Sequence, residues 1–227
     1  MKLNWPMEIV QLGLIGAMLV AAAIVWPYVP ERIPTHWNLE GEPDGYSGKL
    51  FGLLFPPALT CGLYLLLLFL PRLDPGYRNY QNFAGTYLAI RVSLVCFMLA
   101  VYGVTVLAAL GRPVDVTAAI CVAVGVLFAI LGNFMGKIRP NWFAGVRTPW
   151  TLSSKTSWDK THRQAGWLFI AMGILIVVSG FAQNGWMFTL TGVVVVGGIV
   201  WLVVYSYLVY RTADDHTPPA GTSPSAE

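Results

Sequence analysis

One stretch between the first two apolar segments contains residue types that bind metal ions. It supplies one imidazole and three carboxylates within nine positions: His36, Glu40, Glu42 and Asp44. A single histidine with scattered carboxylates lacks the ligand spacing of a recognisable metal site. We therefore predict a folded surface cap, with no metal or other cofactor and with Trp37 at the membrane interface.

A second group has the residue types of a serine hydrolase: Ser153, Ser154, Ser157, Asp159 and His162. Catalytic triads are assembled by geometry, however, and cluster in sequence only by chance. Serines that precede a helix usually cap it, and a hydrogen-bonded structural histidine is more common than a catalytic one. These residues therefore favour a protein that is not an enzyme.

The same segment also contains signals for the start of a helix. Thr156-Ser157-Trp158-Asp159 has the T-x-x-D pattern of a capping box, which predicts that a helix begins here, before the membrane. Asp159 and Arg163 are spaced i and i+4, so we expect them to form a surface ion pair.

Composition shows which solvent surrounds these residues. Apolar residues make up 56% of the 227 residues, charged residues make up 11%, and the mean hydropathy is +0.62. A soluble domain carries about a quarter of its residues as charges, so most of this chain lies in lipid. Four uncharged runs of 20 to 22 residues are each long enough for one crossing: residues 9–30, 50–71, 92–111 and 116–136.

The last uncharged run, residues 164–210, has 47 residues and is too long for one crossing. Gln183-Asn184-Gly185 interrupts it with turn-forming residues. The predicted fold class is therefore all-α, a polytopic membrane protein with six transmembrane helices. Pro56-Pro57 is expected to kink or break the second helix, and Arg91 is expected to snorkel from the inner end of the third.

Orientation follows from the Lys and Arg residues of the short loops. If the N-terminus is inside, the inner segments carry ten of these residues and the outer segments carry three. Because positive residues are retained in the cytoplasm, both termini are predicted to be cytoplasmic.

The two longest loops differ in charge. Residues 136–164 carry six basic residues against one acid and include Trp142, Phe143, Trp150 and Trp158, a composition typical of an anchor at the lipid headgroups. Residues 30–49 carry a net charge of −2 on the opposite side, and Pro43-Asp44-Gly45 predicts a turn there.

Both loops also carry a family resemblance. Ile33-Pro34-Thr35-His36-Trp37-Asn38, followed by Gly41, Pro43-Asp44-Gly45 and Lys49, resembles the N-terminal domain of unknown function of SdpI-family membrane proteins. Residues 132–166 closely resemble the C-terminal signature of that family. The matching positions include Gly132-Asn133, Lys137, Arg139-Pro140-Asn141, Gly145, Arg147-Thr148-Pro149-Trp150-Thr151, Trp158 and Thr161-His162-Arg163.

The resemblance implies a non-enzymatic immunity protein of the bacterial cell membrane. Such a protein protects against a secreted antimicrobial peptide on the outside. It also holds an ArsR-type repressor on the inside when the toxin is present, and does not itself contact nucleic acid. The candidate ligand-binding residues of the outer loop are His36, Trp37, Asn38 and Asp44. The candidate partner-binding or lipid-binding residues of the cytoplasmic loop are Asn133, Lys137, Arg139, Asn141, Arg147, Thr148, Trp150, Trp158, His162 and Arg163.

Three segments are predicted along the chain. They are an N-terminal two-helix unit with the outer loop (1–83), an SdpI-like four-helix membrane domain (84–211) and a disordered tail (212–227). A small transporter or channel is the alternative function, and a membrane enzyme is a weaker one. Transporters usually place ionisable residues within their spans, where this sequence offers only Arg91.

Overall fold

Six long helices dominate the fold, and each is long and apolar enough to cross a membrane. The computed structural model describes residues 3–38 and 41–216. Its elements in chain order are α1 (Trp5–Val25), β1 (Arg32–Trp37), β2 (Pro43–Gly48), α2 (Lys49–Leu73), α3 (Ala84–Ala109), α4 (Val116–Met135), the short α5 (Pro149–Ser153), α6 (Lys155–Ala182) and α7 (Gly185–Arg211). The prediction of a six-span helical membrane protein is confirmed.

The connections divide the bundle into two ends. We call the end that carries β1 and β2 the hairpin end, and the end that carries residues 74–83 and 136–154 the loop end. With an even number of spans, α1 starts and α7 finishes at the loop end. The direction in which either end faces stays a prediction.

The outer loop departs from the helical pattern by forming an antiparallel β-hairpin. Pro43-Asp44-Gly45 does not form the predicted turn but lies within β2, where Pro43 pairs with Trp37. The chain reverses earlier, because the Asn38 side chain accepts a hydrogen bond from Glu42 N–H (2.8 Å) and the Asn38 backbone N–H donates to the Glu42 carbonyl (3.0 Å). This local pairing outweighs the turn preference of the proline and glycine.

Prolines in α2 do not end the helix. Pro56 and Pro57 lie inside one continuous helix, so of the predicted kink or break the break is wrong and the kink stays a prediction. The Thr60 hydroxyl donates a 2.7 Å hydrogen bond to the Pro56 carbonyl. Neighbouring helices and hydroxyl side chains commonly allow proline within membrane helices in this way.

The predicted start of the fifth span is also corrected. Ser154, not Thr156, caps α6, since its hydroxyl accepts from Ser157 N–H at 3.0 Å. A reciprocal capping box does occur, but it lies on α5 between Thr148 and Thr151. Asp159 pairs with Lys155 at 2.6 Å rather than with Arg163.

The tail predicted to be disordered is only partly described. Residues 217–227 lie outside the described residues, whereas Asp215 contacts the start of α6. Asp215 accepts hydrogen bonds from the Ser154 hydroxyl (2.6 Å) and from Thr156 N–H (2.8 Å). These bonds, the Ser154 hydroxyl first, hold the pKa of Asp215 below its ordinary value.

Glycines bring α4 and α6 into close contact. A Cβ built on Gly125 would lie 2.5 Å from the Gly173 carbonyl oxygen, and one built on Gly132 would lie 2.7 Å from the Gly166 carbonyl oxygen. Small residues allow membrane helices to approach until their backbones touch, which maximises van der Waals contact where no hydrophobic force operates. This helix pair supports both ends of the bundle.

We predict that Gly173→Ala lowers stability by about 1–3 kcal/mol, because the added methyl group forces the two helices apart. Thermal unfolding of the purified protein in detergent measures the change. Gly197→Ala in α7 is the matched control, since a Cβ there meets nothing within 4 Å. Equal unfolding temperatures for the two variants would contradict the packing account.

Candidate functional site

The loop end is organised around a buried asparagine. The Asn141 side-chain oxygen accepts from Phe143 N–H (2.9 Å) and Ala144 N–H (2.6 Å), and its NH₂ group donates to the Arg139 carbonyl (2.9 Å) and the Ala144 carbonyl (3.1 Å). Asn141 is 2% exposed. One side-chain amide thus supplies hydrogen-bond partners for the backbone N–H and C=O groups of a tight loop that has no regular secondary structure.

Asp74 joins this loop to the segment that precedes α3. Its carboxylate accepts hydrogen bonds from the Tyr80 hydroxyl (2.8 Å), from Trp142 N–H (3.0 Å) and from Gly76 N–H (2.6 Å). Asp74 is buried. The sequence reasoning missed this residue; its position between the second span and a Pro-Gly pair was the available signal.

His162 is buried in the same region and has a structural role. Its ring stacks on Trp158 with centroids 4.0 Å apart. Nε2 accepts from Val146 N–H (3.1 Å), so the neutral ring carries its proton on Nδ1, which donates to the Trp158 carbonyl (2.9 Å). Gly145 has φ +103°, and a Cβ there would lie within van der Waals overlap of Nε2. Glycine is therefore required at position 145.

The serines beside His162 do not form a hydrolase site. Ser154 donates to Asp215 (2.6 Å) and Ser157 donates to the Ser206 carbonyl (2.9 Å). Ser153 donates to the Pro149 carbonyl (2.7 Å). Within residues 3–38 and 41–216, no serine hydroxyl is hydrogen-bonded to His162, so the arrangement that a nucleophile needs is not assembled there.

The predicted residues of this loop therefore divide into two sets. We name residues 74–83 and 136–154, together with the start of α6, the loop-end cap. Its buried motif residues hold the cap together: Asn141, Thr148, Trp158 and His162. Trp150 is half-buried against Tyr207. The exposed motif residues of the cap are Lys137, Arg139, Arg147 and Arg163, and the exposed Asn133 lies just before it, near the end of α4.

The hairpin end brings the other predicted residues to one cavity. His36, Trp37 and Asn38 line a cavity of about 350 Å³ together with apolar residues of α3 and α4 and with Phe188 of α7. Asp44 lies behind this edge, with its carboxylate 2.5 Å from His36 Nδ1. Three of the four predicted residues thus line the cavity and Asp44 is joined to it through His36, an arrangement that an apolar ligand group with a polar neighbour would fit.

No metal cluster forms at this site within the described residues. His36 and Asp44 pair with each other, and Glu40 lies outside the described residues. The imidazole and carboxylate therefore orient one another.

A third polar site lies between the first three spans and was not predicted. Arg91 donates to both carboxylate oxygens of Glu8, at 2.9 and 2.8 Å, and the Tyr64 hydroxyl donates to the same carboxylate at 2.8 Å. Arg91 is 1% exposed and Glu8 is 3% exposed. The expectation that Arg91 snorkels to the membrane surface is wrong, because a bidentate partner on α1 lies within reach.

This cluster has further polar capacity. Arg91 Nε and the side-chain oxygen of Gln11 are buried and have no hydrogen-bond partner within the described residues. Buried donors and acceptors without a hydrogen-bond partner lower the stability of the fold in a low-dielectric setting, and they are typical of functional sites. The sequence signal was present, since Glu8 and Arg91 are opposite charges at the same end of two apolar helices.

We predict that Arg91→Gln destabilises the protein by about 3–5 kcal/mol, because it leaves the Glu8 carboxylate buried without its counter-charge. Thermal unfolding in detergent measures the loss. The double variant Glu8→Gln/Arg91→Gln should be more stable than Arg91→Gln alone, since both charges are then absent. A double variant whose loss equals the sum of the single losses would disprove the pairing.

Comparison with known proteins relates these sites to a family. Residues 137–205 match the SdpI/YfhL protein family, and residues 13–61 match a domain of unknown function, DUF1648. The first match covers most of the loop-end cap with α6 and much of α7, and the second covers the hairpin. No solved structure matches the chain.

One curated relative aligns along nearly the whole length. The protein named Immunity protein SdpI of Bacillus subtilis (strain 168) is 26% identical over 204 residues, which is 90% of this chain and 96% of that protein. The two matched segments and this long alignment confirm the resemblance to the SdpI family that the loop motifs indicated, in a chain whose six apolar helices are those of a multipass membrane protein.

Proposed function

We propose that this protein is a non-enzymatic immunity protein, which protects the cell that carries it against a membrane-active antimicrobial peptide. The observation that carries the proposal is the alignment with Immunity protein SdpI over 204 residues, which is 90% of this chain and 96% of that protein. The hydrogen bonding of His162 and the neighbouring serines supports the non-enzymatic part, because it gives each of these groups a structural partner.

In this proposal the hairpin end faces the exterior and the loop end faces the cytoplasm. The basic residues of the loop-end cap support this orientation, since exposed Lys and Arg are retained on the cytoplasmic side. The division into an N-terminal two-helix unit (1–83) and a four-helix domain (84–211) also remains part of the proposal. Its support is that the two family matches fall on different sides of residue 83.

The hairpin end is the proposed site of toxin contact. Residues 30–49 carry a net charge of −2, which weakly attracts a cationic peptide at physiological ionic strength. The cavity beside His36, Trp37 and Asn38 offers apolar walls of a size suited to one or two large side chains. Charge attracts the peptide, and the cavity supplies contact area.

The loop-end cap is the proposed site of a cytoplasmic partner such as an ArsR-type repressor. Its exposed cations and its exposed Trp142 and Phe143 are suited to an acidic or amphipathic surface. Sensing would require the two ends to be coupled. The α4–α6 pair connects them as one closely packed element.

A small transporter is the second candidate function, and the Glu8–Arg91 pair favours it. Ionisable residues inside membrane spans commonly mark substrate or proton pathways. Solute or ion flux into liposomes that contain the protein, abolished by Glu8→Gln, would support transport over immunity.

We predict that expression of the protein in a sensitive bacterium raises survival under at least one membrane-active peptide toxin. The double variant His36→Ala/Asp44→Asn should reduce protection. If one charge-assisted contact of roughly 1.4 kcal/mol is lost, the affinity of the protein for the peptide falls about tenfold. Killing curves across a panel of peptides measure the effect. Arg112→Gln, in the neighbouring turn between α3 and α4, is the control and should protect as the wild type does. Unchanged survival with the wild type for every peptide would count against immunity.

We predict that reporter fusions at residues 140–160 and at the C-terminus report the cytoplasm, and that a fusion after residue 42 reports the exterior. The physical reason is the ratio of ten to three in Lys and Arg residues between the two sides. Alkaline phosphatase and green fluorescent protein fusions provide complementary signals. An exterior signal from residues 140–160 would reverse the orientation and exclude the cytoplasmic partner.

A further inference from the structure

A polar groove opens at the loop end, away from the hairpin cavity and the Glu8–Arg91 pair. Its volume is about 750 Å³. Three segments form it: the turn before α3, the residues that follow α4, and the junction of α5 with α6. The lining residues are Asn79, Asn82, Arg139, Pro140, Thr151, Leu152, Ser154 and Lys155.

Arg139 is the cation that the groove leaves available. The Arg139 side chain is exposed, and within the described residues its guanidinium has no hydrogen-bond or ion-pair partner. Lys155 contributes less, because Asp159 pairs with it at 2.6 Å. The nearby Asp215 carboxylate is occupied by Ser154 and Thr156. The planar guanidinium of Arg139 matches the geometry of a phosphate group, and the Asn82 amide, which lines the same groove, offers a further donor.

The position of the groove points to a lipid rather than a soluble anion. Asn82 lies two residues before α3, Arg139 follows α4 by four residues, and Lys155 is the first residue of α6. The groove therefore lies beside the loop-end termini of three helices that are long and apolar enough to cross a membrane, which is the part of such helices nearest to the headgroups. Leu152 on its wall is exposed and offers an apolar surface to an acyl chain.

Exposed aromatic residues support the same depth. Trp142 is 52% exposed and Phe143 is 40% exposed, and both follow directly after the Arg139-Pro140-Asn141 segment. Large aromatic side chains left in contact with solvent at a helix end are typical of the membrane interface, where an apolar ring and a polar edge are both accommodated. The exposure of these two rings is what contact between the loop-end cap and the headgroups would require.

We propose that this groove binds the phosphate of an anionic phospholipid headgroup, with Arg139 as its principal contact and with Asn82 and Lys155 beside it. Basic pockets between membrane helices bind headgroups of this class. This inference does not depend on the proposed immunity function. The bound lipid would tie α3, α4 and α6 together at their shared end.

Native mass spectrometry of the full-length protein in detergent tests the proposal. Dioleoylphosphatidylglycerol is titrated as the anionic probe, dioleoylphosphatidylcholine as the neutral probe with identical chains, and inorganic phosphate as the free anion. We expect a preference for phosphatidylglycerol that Arg139→Gln weakens about fivefold. Arg139→Lys should retain part of it, because the charge remains while the fork geometry is lost.

Arg211→Gln is the matched control, since Arg211 is an exposed arginine at the loop end of α7 but does not line the groove. An equal loss in Arg211→Gln would show diffuse surface attraction and overturn the site. Displacement of the lipid by inorganic phosphate alone would show a soluble-anion site and overturn the lipid assignment. If Arg139→Gln fails to fold, Asn82→Asp places a carboxylate in the groove and should repel the lipid; unchanged binding in that variant would also overturn the proposal.

Discussion

Hydrocarbon cannot form hydrogen bonds, and the polar groups of this protein are arranged around that constraint. The strongest case is the Glu8–Arg91 pair, in which two charges are buried between α1 and α3 and are joined by the Tyr64 hydroxyl from α2. Either charge alone would be costly in this setting. The pair therefore links the first three spans, which are also held by apolar packing and by a 2.6 Å hydrogen bond from the Tyr87 hydroxyl of α3 to the Leu67 carbonyl of α2.

The second half of the chain is held by a different force. α4 and α6 approach through facing glycines, so that backbone atoms of the two helices come into contact. The loop-end cap then closes this pair with buried hydrogen bonds centred on Asn141 and His162. These two mechanisms explain why the segment that matches the SdpI/YfhL family combines small residues in the helices with polar residues in the loop.

Function at the two ends would depend on the side chains that remain exposed there and are not used to hold the fold together. At the loop end, four motif residues are buried inside the cap: Asn141, Thr148, Trp158 and His162. Arg139 remains exposed. At the hairpin end, His36 and Asp44 orient one another beside an apolar cavity. The buried motif residues therefore support the fold of each end, whereas the exposed motif residues are the ones that a ligand or partner could contact.

The number of spans, their approximate ends and the family resemblance were determined by the sequence alone. A crossing needs about 20 apolar residues and a loop concentrates its charges, so both signals are local. Tertiary structure decided the rest. The partner of Arg91 lies 83 residues away, the Asn38–Glu42 pairing displaced the turn expected at Pro43-Asp44-Gly45, and Asp215 reached the start of α6 from the end of α7. These contacts depend on which helix faces meet in space, and hydropathy along one chain carries no information about that.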